Sequence, residues 1–236
     1  MPSYTKSLIL CLLLFVFNGC NNKTLELEKK EPIKTKFVEL KTKSFESENQ
    51  YIILALESEN QKLYFDARNL YFKLFEKTDN YEYFVKYLAI STHIQDYKIV
   101  KEHALKYYKN NIKEEEIILR LYTFALFKLG NQKEALLNAQ KLANLFKSDV
   151  NYELLGTIYL QQKDYLKAYE FFEKSFVLNK SANTFLNLTN IQYFNLSQKT
   201  EAINKIEQYI KDNGHDFNLS IQLLTFYEKE QQAQKI

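Results

Sequence analysis

The chain has 236 residues, 46% of them hydrophobic, which is enough to bury one sizeable core or a row of small units sharing a continuous one; disorder throughout is excluded. Four glycines and two prolines are too little punctuation for a sandwich, a barrel or a phosphate-cradling loop protein. Lys+Arg 32 against Asp+Glu 29, a net charge of +3, with no basic block, is not the electrostatic footprint of a nucleic-acid binder.

What remains is helical. Leu, Lys, Glu, Gln and Ala favour helix, whereas the numerous Tyr, Phe and Ile are mediocre helix formers that packing must recruit. At the amino terminus Lys6 precedes an apolar run, Leu8 to Phe17, which ends at Asn18, Gly19 and Cys20. Ten apolar residues fall short of the roughly 20 that cross a bilayer core, so the layout reads as a secretory signal rather than a membrane span. Gly19-Cys20 at the end of that run resembles the lipobox of bacterial lipoproteins, although Phe17 stands where Leu is usual and Asn18 where a small residue is usual. The resemblance implies removal of residues 1–19, a diacylglycerol on the Cys20 thiol and a chain tethered to the membrane rather than spanning it. The bland alternative is an incidental thiol near an ordinary cleavage site. Cys11 lies in the segment to be removed, so the mature chain would hold no free thiol and no disulfide, as suits an oxidising periplasm. Asn21 and Asn22 follow the cysteine, with no Asp resembling an inner-membrane retention signal, and the expected address is the periplasmic side of the cell envelope, at the outer membrane.

Residues 20–47 are dense in Lys and Glu with scattered apolar residues and read as a solvated tether. About 25 residues of flexible coil reach roughly 25 to 30 Å. Within it Pro32 followed by Ile33, Phe37 and Leu40 can start a short helix with a marginal apolar face.

From residue 48 to 236 the pattern repeats. Ala67, Val100, Ala135, Ala168 and Ala202 are separated by 33, 35, 33 and 34 residues. They mark second helices of units beginning near Glu48, Tyr81, Glu116, Asp149 and Asn183, and a lone helix follows from about Phe217. The fourth unit is the clearest: Tyr152-x2-Leu155-Gly156-x2-Tyr159, then Ala168-x3-Phe172. Leu155, Ile158 and Tyr159, and Tyr165, Ala168, Tyr169 and Phe172, form apolar stripes at helical spacing. Gly156 and Ala168 are small enough for close helix approach. This spacing resembles the tetratricopeptide repeat, a helix-turn-helix unit of about 34 residues, with Tyr152 in place of the usual Trp and no late proline. The resemblance implies an all-α, right-handed superhelical solenoid of about five repeats plus a C-terminal capping helix, the polar tail EKEQQAQKI closing it. Such units expose an apolar face alone and are stable only when stacked. Gly130 and Gly214 are expected to end helices with positive φ.

Nothing in the array reads as a reactive centre. His93 and His103, ten residues apart on different helices, lack a Cys or carboxylate pair at ligand spacing, and they and His215 read as ordinary histidines rather than metal ligands. Glu114, Glu115 and Glu116 read as a helix start favoured by the helix dipole. With no G-x-S-x-G, no H-E-x-x-H and no phosphate loop, neither enzymatic activity nor a cofactor or small-molecule substrate is expected. In the resembled family ligand contacts come mostly from the second, fifth, ninth and twelfth positions of each unit. Here those are Ile117, Arg120, Phe124 and Phe127 in the third, Val150, Glu153, Thr157 and Leu160 in the fourth, and Thr184, Asn187, Ile191 and Phe194 in the fifth. They imply a groove with an apolar floor for an amphipathic helix or an extended apolar peptide; with the register one residue off, the same aromatics are core. Asp216-Phe217-Asn218-Leu219-Ser220 resembles the acceptor sequence of some bacterial glycosylation systems. The expected function is a lipid-anchored periplasmic scaffold that binds another envelope protein during assembly of an outer-membrane, pilus, flagellar or secretion machine. The rival is an envelope enzyme or a module binding glycan or cell wall.

Overall fold

The computed structural model describes residues 45–110 and 115–231. The signal segment, Cys20, the tether up to residue 44, Glu114 and the last five residues lie outside them. The described residues hold eleven α-helices and no strand. The chain divides into two compact units between Ile94 and Gln95, a boundary that falls inside the second repeat.

The first unit contains α1 (Glu48–Asn60), α2 (Tyr64–Thr78) and α3 (Tyr81–His93). Its core is Ala67, Tyr71, Leu74, Phe84, Tyr87 and Leu88, closed by ring contacts between α2 and α3: Phe75 to Phe84 at 4.5 Å and Phe72 to Tyr87 at 4.7 Å. These are the mediocre helix formers of the sequence, held helical by packing. Polar bonds staple the rim. The Tyr71 hydroxyl donates to Glu59, and burial followed by that bond pushes the phenol far above its ordinary range. Lys86 reaches the same carboxylate at 3.3 Å, and the Tyr83 hydroxyl donates to Glu48. His93 closes α3 with its ring 4.3 Å from Tyr64.

The second unit contains α4 (Tyr97–Asn110), α5 (Glu116–Lys128), α6 (Gln132–Leu145), α7 (Asp149–Gln161), α8 (Tyr165–Leu178), α9 (Ala182–Phe194), α10 (Lys199–Asn213) and α11 (Phe217–Lys229). Each helix packs on its chain neighbour. The first helices begin at Glu48, Tyr81, Glu116 and Asp149 as the spacing predicts, the fifth at Ala182, one residue ahead of Asn183, and the last at Phe217. All five second-helix landmarks, Ala67, Val100, Ala135, Ala168 and Ala202, are fully buried. The fold is all-α and built from helix-turn-helix repeats of tetratricopeptide type.

Two details explain why one pattern recurs in dissimilar sequence. The turn between the helices of each repeat holds a left-handed residue at one register position: Lys62, Gln95, Gly130, Lys163 and Ser197, with φ between 58° and 78°. Only the third turn uses glycine; the other four place a residue with a side chain in the left-handed region, at a cost in backbone strain. The first, third and fourth turns close in the same way, with Leu63 N–H donating to Ser58 O at 2.8 Å, Asn131 N–H to Leu126 O at 2.9 Å and Asp164 N–H to Tyr159 O at 3.0 Å, bonds that satisfy carbonyls at the helix end. The second detail is Gly156, where an added Cβ would stand 3.2 Å from Phe172 and 3.3 Å from the Ala168 carbonyl oxygen. As expected, Gly156 permits the close crossing of α7 and α8.

Candidate interaction surface

Register alone places the candidate residues on the first helices α5, α7 and α9, and the structure sorts them. On α5, Ile117, Arg120, Phe124 and Phe127 are all partly exposed. Arg120 is not a free cation: Nη1 donates to Glu116 Oε1 at 2.9 Å and to Asn151 Oδ1 at 3.2 Å. Asn151, fully buried, donates through Nδ2 to Glu116 Oε1 and to the Phe146 carbonyl, both at 2.8 Å. Ser148 Oγ adds a third donor to Glu116 at 3.1 Å. A buried amide is tolerated only with its hydrogen bonds made, and these bonds satisfy Asn151 while locking α5 to α7. Asn151 looks like an ordinary polar helix residue in the sequence; only its zero exposure marks it as the anchor.

Phe124 meets Tyr97 of α4 edge-on at 6.0 Å, and the Lys128 ammonium lies 5.2 Å from its ring and 5.8 Å from that of Phe127. Burial lowers the Lys128 ammonium below the ordinary lysine range, so the end of α5 carries a partly desolvated cation over two aromatic faces. On α7, Val150, Glu153, Thr157 and Leu160 are partly exposed. Burial, then the nearby Asp149 charge, pushes the Glu153 carboxyl up to about 7. Thr157 Oγ1 donates to the Glu153 carbonyl at 2.8 Å.

On α9 the expectation needs correction. Ile191 and Thr184 are each 2% exposed; they belong to the core and offer a partner no surface. Asn187 is partly exposed, and Phe194 is 53% exposed, backed by Tyr193 at 4.8 Å, Phe226 at 5.7 Å and the Lys229 ammonium at 5.8 Å. Among the described residues, hydrogen bonds join the candidate residues of α5 to α7, and ring contacts join Phe194 to α11. Asn187, Ile191 and Phe194 share no hydrogen bond or ring contact with α7.

A cavity of about 490 Å³ opens between α6, α7 and α8, lined by Gln140, Asn144, Lys147, Tyr152, Tyr159 and Lys174 among others. The sequence does not reveal it, because Tyr152 and Tyr159 read as repeat landmarks. Gln140 Nε2 donates to the Tyr159 hydroxyl at 2.8 Å, and the Tyr159 and Phe171 rings stack at 5.7 Å. Among the described residues no group of His, Cys, Asp or Glu is arranged to hold a metal, and no helix is long and apolar enough to cross a membrane. Asn218, the acceptor of the glycosylation-like sequence, is exposed in the first turn of α11, its N–H capped by Asp216 at 3.0 Å.

No family model and no curated protein matches the chain. Solved structures do. One is a tetratricopeptide repeat protein from Parabacteroides merdae, with a TM-score of 0.62 at 16% identity, covering 78% of this chain and 73% of that one. Another is pilF of Pseudomonas aeruginosa, with a TM-score of 0.61 at 20% identity, covering 80% and 88%. A third is YrrB, described as a TPR protein with an unusual peptide-binding site, with a TM-score of 0.54 at 17% identity, covering 74% and 90%. At such identities the likeness establishes the tetratricopeptide fold and nothing finer.

Proposed function

We propose that the protein is a lipid-anchored scaffold facing the periplasm, which holds an amphipathic helix or extended apolar peptide of another envelope protein during assembly of an envelope machine. The observation that carries this reading is the set of apolar side chains left partly or fully open on first helices, Phe124, Phe127, Leu160 and Phe194, set among charges already paired or partly desolvated. Apolar surface fixed on a rigid frame loses little conformational entropy on binding, which is the physical advantage of a repeat scaffold. The peptide-binding site of YrrB is consistent with this use of the fold, and Gly19-Cys20 at the end of the apolar run carries the address.

The test is capture in cells. Crosslinking followed by mass spectrometry should recover one stoichiometric envelope protein with the parent chain. Capture is lost in Phe124→Glu/Phe194→Glu with helical content unchanged, and Cys20→Ala abolishes labelling by a fatty-acid analogue. Binding to purified wall material without a protein partner, or unchanged capture by the double variant, overturns the reading.

A further inference from the structure

The first helix of the array exposes, at two positions, what α5, α7 and α9 bury. In register with Leu121, Leu154 and Leu188, which are 9%, 3% and 4% exposed, stands Ile53 at 66%; in register with Tyr122, Leu155 and Thr189, at 5%, 1% and 0%, stands Leu54 at 53%. The second helix of the repeat before packs against each of these three helices. Tyr122 of α5 meets Tyr108 of α4 at 6.4 Å, and Phe185 at the start of α9 meets Phe176 of α8 at 5.1 Å. Among the described residues nothing occupies that place on α1.

The chain upstream has what the place requires. Residues 132–145 and 165–178 form α6 and α8, each lying from 17 to 4 residues ahead of the first helix that it covers. The same count back from Glu48 spans residues 31–44, EPIKTKFVELKTKS. Pro32 suits a first helical turn, and Ile33, Phe37 and Leu40 follow at i, i+4 and i+7, one face of a helix. Phe45 already lies against α1, its ring 5.2 Å from Tyr51. Charge agrees: the stretch carries Lys34, Lys36, Lys41 and Lys43 against Glu31 and Glu39, whereas α1 carries Glu48, Glu57 and Glu59 and no Lys or Arg.

We propose that residues 32–44 form a helix that stacks on α1, placing Ile33, Phe37 and Leu40 over Ile53 and Leu54. The stretch is then the first layer of the array, and only the residues before it are free tether. A solenoid end with an open apolar face invites association, and this layer closes it from within the same chain.

The test uses the full chain in mild detergent with Cys11→Ser and Cys20→Ser, so that only introduced thiols react. A disulfide requires Cα atoms within about 7 Å. Phe37→Cys combined with Ile53→Cys or with Leu54→Cys should close an intramolecular disulfide under mild oxidation at least tenfold faster than Lys36→Cys with the same partners, Lys36 lying off the apolar face. Equal rates for the two sets, or no closure by either Phe37→Cys pair, overturn the proposal. Disulfide-linked dimers as the main product also overturn it, a second copy then being the occupant.

Discussion

Repeats four and five are neighbours in one unit and share one plan, yet they resolve the same positions with opposite chemistry. Where the two helices of repeat four cross, Gly156 lets Phe172 and the Ala168 carbonyl approach to 3.2 and 3.3 Å of where a Cβ would be. The residue in register in repeat five is Asn190, whose Oδ1 is buried with no hydrogen-bond partner. At one register position of the first helix, repeat four has Glu153, its carboxyl pushed up to about 7 by burial and Asp149, and repeat five has the uncharged Asn187. Repeat five instead gains stability from rings, Tyr193 stacking on Phe226 at 3.8 Å and Phe185 on Tyr209 at 4.5 Å. The lesson is that each repeat needs a surface its neighbours can cover, and that local polar costs are tolerated wherever the stack supplies enough apolar contact.

The contrast can be broken most forcefully at the crossing. Gly156→Leu drives a branched side chain against a carbonyl and a fully buried ring, and should cost about 3 kcal/mol, seen as a lower urea midpoint by far-UV circular dichroism. An unchanged midpoint would mean that α7 and α8 are not held at this separation. The next effect depends on pH. Glu153 has a folded-state pKa above its unfolded value of 4.5, so folding retains its proton and stability declines as pH rises from about 4.5 to about 7. Glu153→Gln removes that slope: the variant should match the parent at pH 4 and exceed it by about 3 kcal/mol at pH 8, measured as thermal midpoints across the range. A constant offset at every pH would place the Glu153 carboxyl in water. The smallest effect sharpens the comparison from the other side. Asn190→Ala deletes a desolvated oxygen and improves helix propensity, and should stabilise the chain by about 1 kcal/mol, raising the urea midpoint. A loss of stability would show that the Asn190 amide contributes more by packing than its oxygen costs.

The helix starts at Glu48, Tyr81, Glu116 and Asp149, the buried landmarks from Ala67 to Ala202 and the positive φ of Gly130 and Gly214 were legible in the sequence. They depend on spacing, and spacing at helical period is a property of the chain itself. For the candidate residues only exposure can be compared, and it was legible in part. Phe194 is exposed and Phe124 partly so, whereas Ile191 is buried and Arg120 is bound within the Asn151–Glu116 network.

The sequence by itself determined the repeat, its period and the small residue at the crossing in repeat four, because these follow from the order of large, small and polar side chains along a helix. Only the tertiary structure decided which polar residues are anchors, which apolar ones remain open, and that four of the five turns adopt left-handed backbone without glycine. Those outcomes depend on the neighbouring helix that covers a given face, and no residue's own identity contains that information.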